Sequence, residues 1–202
     1  DLHSFPTRRS SDLHIATGVY GDTAGAVVDE SSAVQPRTDR ARRRVSAEEM
    51  TRVWCNERHV RRVVLRVPGI YGPDRLPLER LRHVEPVVRE REAGMNNRIH
   101  VDDLVEACAR SIANPQARGV YNVSDGQPLS STTFINMVAK AAGLPAPPQV
   151  SMEEAQLTFS PERLSFLNES RRVSNERMLK HLGVVLKYAD VEALYGDRKS
   201  VV

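Results

Sequence analysis

The stretch TDRARRRVSAEE, residues 38–49, places Arg40, Arg42, Arg43 and Arg44 within about a turn and a half of expected helix. A guanidinium stays charged at neutral pH, donates five N–H groups in a planar fork and accepts none. It can hold a phosphate or a carboxylate, but it cannot take up a proton as a general base. The run suits three uses: an altered active-site helix, a solvated helix face, or a nucleic-acid contact. Asp39, Glu48 and Glu49 flank the arginines and aromatics make up only 5% of the chain, so nucleic acid is the disfavoured partner. Arg75 and Arg98 are further candidates to meet a phosphate or carboxylate, with surface or fold-supporting arginine as the alternative. The six histidines are scattered without i, i+4 spacing, and Cys55 and Cys108 form no C-x-x-C, so no metal site is expected.

These residues need elements to hold them. Residues 14–22, HIATGVYGD, read as a buried strand leaving through a glycine turn, and 23–37 read as loop. Met50, Val53, Trp54 and Glu57 recur at helical spacing, so a helix is expected over 40–58. Ser46 to Glu49 has capping-box form, either opening that helix or lying inside it. VVLRV, 63–67, reads as a central strand broken by Pro68-Gly69. A short strand or turn over 98–101 precedes a helix capped by Asp102 or Asp103, with Leu104, Val105, Cys108 and Ile112 on one face. A strand over 119–125 leads to a helix opened by Ser130 or Ser131 that buries Phe134, Ile135 and Val138 and stops at Gly143. Residues 144–150 form a proline-rich connector, Ser151-x-x-Glu154 is a second capping box, and Ser174 caps a last helix carrying Met178, Leu179 and Leu182. Strands alternating with helices make the class α/β.

The length suits one domain or a large part of one, and 40% hydrophobic residues allow a core. A net charge of +3 is too mild to imply a polyanion partner. Two cysteines outside any disulfide pattern suggest a reduced, cytoplasmic setting, and no run is apolar enough to span a membrane. Asp1–Leu13 and Asp197–Val202 match in-frame translations of a common sequencing-library adapter. Both are therefore expected to be artefactual ends around a natural segment of 14–196.

Four motifs occur in order: GVYGD (18–22), LRVPGIYGP (65–73), RIHVDDLVEA (98–107) and GVYNVSDGQPLS (119–130). Each alone is weak. As an ordered set the chain resembles the extended short-chain dehydrogenases, the NAD-dependent epimerase/dehydratase family, over nearly all of 14–196. The resemblance implies the C-terminal part of a doubly wound Rossmann fold plus a small substrate lobe. It implies NAD or NADP as cofactor, a small-molecule substrate such as a sugar nucleotide or another hydroxylated metabolite, and a homodimer through a helix like 40–58. No glycine-rich pyrophosphate turn occurs in the sequence, so tight dinucleotide binding by this chain is not expected.

The resemblance also implies a catalytic helix carrying Tyr-x-x-x-Lys, with a glutamate four residues further on. Setting that glutamate at Glu48 puts Arg44 at the lysine position and Arg40 at the tyrosine position. Arg44 can keep a positive charge near a ribose, whereas Arg40 cannot exchange a proton. The family's Ser/Thr position falls on Ala16; Thr17 beside it is the only hydroxyl, either a site residue or simply a β-branched strand residue. Pro68 and Gly69 take the stretch that passes the nicotinamide, with Gly69 where an asparagine often touches substrate. Tyr71, Arg75 and Arg98 are candidate substrate contacts, and His100 and Asp103 are expected to be structural. The expected function is an oxidoreductase or epimerase-like protein with its usual Tyr and Lys replaced. The alternative is a cofactor-binding sensor or regulator of the same fold with little or no turnover.

Overall fold

The computed structural model describes residues 15–189, so both adapter-like ends lie outside the described residues. In chain order the elements are β1 (Ile15–Ala16), β2 (Val27–Val28), α1 (Asp39–Glu57), β3 (Val63–Val67), β4 (Gly69–Tyr71) and α2 (Leu78–Arg82). Next come β5 (Val87–Val88), β6 (Met95–Asn96), β7 (Arg98–His100), α3 (Val101–Ala113), β8 (Gly119–Asn122) and β9 (Leu129–Ser130). The last are α4 (Ser131–Ala141), β10 (Gln149–Val150), α5 (Met152–Thr158), α6 (Pro161–Leu167) and β11 (Arg172–Val173).

A parallel sheet of order β1-β3-β8 forms the centre, continued after Pro68 by the parallel pair β4-β7. β3 is the middle strand because Val64 and Val67 bury on opposite faces of the pleat. Val67, Ile99, Leu104, Ala107, Tyr121 and Val123 make the largest core beneath α3. A second core joins Tyr71, Leu81 and Val87 to Phe134, Ile135 and Val138 of α4. The α/β class is as expected.

Helix α1 is opened by Thr38, whose hydroxyl accepts from the Ala41 N–H, so the S-x-x-E at Ser46 lies inside the helix. Its buried side is anchored by a charged pair. Arg66 of β3 donates from Nε and Nη2 to both oxygens of Glu48, at 3.0 and 2.8 Å. Arg66 also donates to the Tyr20 hydroxyl at 2.9 Å, and that hydroxyl donates to Asn122 Oδ1 at 2.8 Å. Burial pushes the Tyr20 phenol up against the pull of Arg66 and Asn122, so it stays protonated and serves as the donor. One chain of bonds thus ties α1 to β3, to the turn after β1 and to β8.

Several expectations need correction. Strand pairing covers only Ile15–Ala16; Thr17–Tyr20 is a 3₁₀ turn, which points Tyr20 back under the sheet. Helix α3 is capped by His100, whose Nδ1 accepts from the Asp102 N–H, while Asp103 accepts the Lys187 and Tyr188 N–H groups. Val105 and Ile112 are 61% and 66% exposed, because α3 turns its Leu104–Ala107–Ser111 edge inward instead. Met50 and Val53 are exposed too, since α1 buries Ala41, Glu48 and Cys55. The last helix is a single π turn, Met178–Leu182, closed by Gly183 in the left-handed region. The proline-rich connector ends in β10, paired with β5. Ser130 and Ser151 cap α4 and α5 as expected.

The Glu48–Arg66 pair supplies the first test. Glu48→Ala leaves a buried guanidinium uncompensated and is expected to cost about 3–5 kcal/mol of stability in urea denaturation. A loss under about 1 kcal/mol would show that α1 does not depend on the pair.

Candidate functional site

A parallel sheet presents its ligand-facing edge where the strands end at their C-termini. Here β1 ends into Thr17 and β3 into Pro68-Gly69. Helix α1 crosses over this edge, and its rotation is set by Glu48. Arg44 lies one turn and Arg40 two turns before Glu48, so all three share a face. A cavity of about 340 Å³ opens at this place, lined by Ala16, Thr17, Arg40, Arg44, Pro68 and Gly69 among others. Asn96, Asn97, Arg98 and Ser131 line it too, and the segment 149–173 (β10, α5, α6 and β11), a lobe beside the sheet, completes the wall with Phe166, Glu169 and Arg171.

Thr17 is buried and its hydroxyl has no hydrogen-bond partner among the described residues, so it is available to a ligand. Gly69 allows close approach from the cavity: a Cβ there would lie 3.6 Å from the Asn97 carbonyl oxygen, an ordinary contact. Phe166, at the end of the lobe helix α6, stacks on the Arg40 guanidinium at 4.5 Å. The Arg44 guanidinium is pulled below its ordinary value by burial and then by the charge of Arg40.

The lobe is fastened to the sheet just beside the cavity. Arg171 pairs with Glu169 at 2.7 Å and donates to the Gly21 carbonyl oxygen. Asp22 Oδ1 accepts the Ser170 N–H and the Ala24 N–H, which hold its carboxyl below the usual range. Asn97 accepts the Val173 N–H and donates to the Arg171 carbonyl, and β11 pairs in parallel with β2. Phe166, Glu169, Arg171, Asn96 and Asn97 had no signal in the sequence, since they lie outside the ordered motifs or in their variable gaps.

A second cavity of about 240 Å³ adjoins the first through Gly69, Arg98 and Ser131, and is lined by Tyr71, Arg75 and Arg80. All the residues expected of the site therefore gather around two touching cavities. Their readiness differs. Arg98 is buried, donates to the Leu129 and Ser130 carbonyls and stacks over Phe134 at 4.2 Å, so it supports the wall. Burial lowers its guanidinium to about 10, still fully charged at neutral pH. The Tyr71 hydroxyl donates to the Tyr188 carbonyl at 3.1 Å. Arg75 is exposed, with no ion-pair partner among the described residues.

Residues 7–124 match the family described as NAD dependent epimerase/dehydratase. The chain belongs to the NAD dependent epimerase/dehydratase family. A conserved protein of unknown function from Silicibacter pomeroyi DSS superposes with a TM-score of 0.81 at 35% identity, covering 92% of this chain and 64% of that one. UDP-glucose 4-epimerase from Thermus thermophilus, solved with NAD, gives 0.68 at 25% identity, covering 85% and 57%. A human epimerase family protein solved with NADPH gives 0.71 at 19% identity, covering 93% and 64%, which shows the shared fold. The chain thus spans less than two thirds of the length of each of these three proteins. No curated protein is matched by the sequence.

Asp125 adds an electrostatic feature that the motifs did not reveal. Its Oδ1 accepts the Gln127 N–H at 2.9 Å, while its buried Oδ2 has no partner. Burial pushes its carboxyl up from near 3.8 to about 7, against the Gln127 N–H and the charge of Arg98. Between about pH 4 and 7 the folded chain keeps a proton that the unfolded chain releases, so this group lowers stability as pH rises through that window. Asp125→Asn is expected to match the parent near pH 4 and to exceed it by about 2–4 kcal/mol at pH 8. Chemical denaturation at three pH values checks this, and a pH-independent difference would contradict it.

Proposed function

We propose that this chain is the nicotinamide- and substrate-facing part of an NAD(P)-dependent epimerase-like protein acting on a sugar nucleotide or another small hydroxylated metabolite. The observation that carries the reading is the cavity at the C-terminal strand edge, where Thr17, Pro68, Gly69, Arg40 and Arg44 converge under the lobe. Its volume suits one small ring system with a small partner. The family relatives solved with NAD and NADPH support the same cofactor.

The residues present fit one end of a dinucleotide. Pro68 and Gly69 would form the floor beneath the nicotinamide, and Arg44 would face its ribose. A nicotinamide supplies hydride exchange when bound. The Thr17 hydroxyl would orient a substrate oxygen. No glycine-rich turn for the pyrophosphate occurs in the sequence, so the adenylate end has no cradle among these residues.

A second reading is binding without turnover. It is favoured by Arg40, which stands where the resemblance expects a proton-exchanging tyrosine, because a guanidinium is no general acid or base. The free Cys55 and Cys108 support cytoplasmic residence. The exposed Met50 and Val53 of α1 support a homodimer. Among the described residues no helix is long and apolar enough to cross a membrane.

Saturation-transfer NMR with NADH tests the reading. Nicotinamide protons are expected to receive saturation from the chain more strongly than adenine protons, and Gly69→Trp is expected to abolish the signal. Uniform transfer over both rings, or none, would overturn it. Where binding is present, Arg40→Tyr with Arg44→Lys is expected to raise hydride exchange with UDP-glucose at least about tenfold, about 1.4 kcal/mol of barrier. An unchanged rate would favour binding without turnover.

A further inference from the structure

Most arginines among the described residues are accounted for by partners. On α1, Arg42 pairs with Asp39 at 2.7 Å, Arg43 donates to the Asp39 carbonyl and Arg52 pairs with Glu49. On the cavity wall, Arg171 is neutralised by Glu169 and Arg98 is taken up by two backbone carbonyls. Arg40 and Arg44 are different. Neither has a hydrogen bond or an ion pair among the described residues, yet both line the cavity. Among the described residues Glu169 is the one carboxylate on that wall, and it is committed to Arg171.

Two like charges at i, i+4 on a helix repel. Arg44 is also half-buried, which adds a desolvation cost to the repulsion. Phe166 holds the Arg40 fork by its face, leaving the N–H edge open. The hydroxyl of Thr17, which has no hydrogen bond among the described residues, and Ser131 also line the cavity and add neutral donors. The arrangement is a pair of cations set on the wall of one cavity, with no anionic partner among the described residues.

We propose that Arg40 and Arg44 form a clamp for an oxyanion, so that the ligand of this cavity is an acidic metabolite carrying a carboxylate or phosphate close to its reacting carbon. The proposal rests on the reading of this cavity as the substrate site. It gives the replacement of a proton-exchanging pair a positive role. The helix binds charge where a dehydrogenase would move a proton, and both guanidinium forks reach one ligand group.

The test is isothermal titration of the full chain with sodium phosphate and, separately, sodium malonate, at ionic strength held constant with sodium chloride. Arg40→Gln and Arg44→Gln are each expected to weaken the bound anion at least about tenfold. Arg42→Gln, whose partner is Asp39, is expected to leave it unchanged, and Arg40→Lys with Arg44→Lys to recover part of the affinity. Tighter phosphate assigns a phosphorylated ligand, and tighter malonate assigns a carboxylate. Thermal unfolding gives a second, ligand-free readout: Arg40→Gln is expected to raise the melting temperature when no oxyanion is present, by relieving repulsion. No anion binding by the parent chain, or binding that survives both glutamine variants, overturns the clamp. Loss of melting temperature in Arg40→Gln counts against it as well. Nicotinamide saturation with no oxyanion binding would sink the clamp alone. Oxyanion binding with no nicotinamide signal would sink the dinucleotide reading alone.

Discussion

The buried pair between Glu48 and Arg66 sets the rotation of α1, and the site follows from that rotation. A helix lying on a sheet could turn about its axis if only small apolar contacts held it. α1 offers few of those, since Ala41 and Cys55 are its buried apolar residues. The two-pronged contact to Glu48 fixes the angle, and the Tyr20–Asn122 bonds fix the guanidinium in turn. Carrying the angle back by one and two turns brings Arg44 and Arg40 over the ends of β1 and β3.

Charge then organises what the backbone has placed. On the solvent side of α1, Arg42 and Arg52 are answered by acids one turn away, and beside the cavity Arg171 is answered by Glu169. The cavity receives two guanidiniums, Arg40 and Arg44, that have no ion pair among the described residues, its one described carboxylate, Glu169, being committed to Arg171. The lobe contributes the face of Phe166 and a seam in which the Ser170 and Val173 N–H groups donate to the side-chain oxygens of Asp22 and Asn97. That seam holds the lobe over the strand ends, so the cavity is a built feature of the fold.

Much of this was legible in the sequence, for identifiable reasons. VVLRV read as a central strand and 119–125 as another because short apolar runs bounded by turn signals mark buried strands, although the second ends at Asn122. The glutamate register placed Arg40 and Arg44 on one helix face, where the structure also has them. The helix cap at Ser130 and the capping box at Ser151 are local chemistry and needed no tertiary context. What failed was tertiary. Val105 and Ile112 fit a helical stripe, but packing of α3 on the π turn chose the neighbouring edge. Asp103 looked like a cap and instead takes two backbone N–H groups from residues 187 and 188. Phe166 and Arg171 reach the site from a lobe whose sequence carries no motif, and Asp125 acquires its shifted carboxyl only through burial.

The most direct measurement is a crystal structure of the chain grown with NADH and sodium phosphate. The account predicts Glu48 bonded to Arg66, with the Arg40 and Arg44 guanidiniums turned into the cavity above Pro68 and Gly69. Phosphate density would lie between the two forks. Both arginines turned to solvent on a rotated α1, with the cavity mouth uncharged, would contradict it.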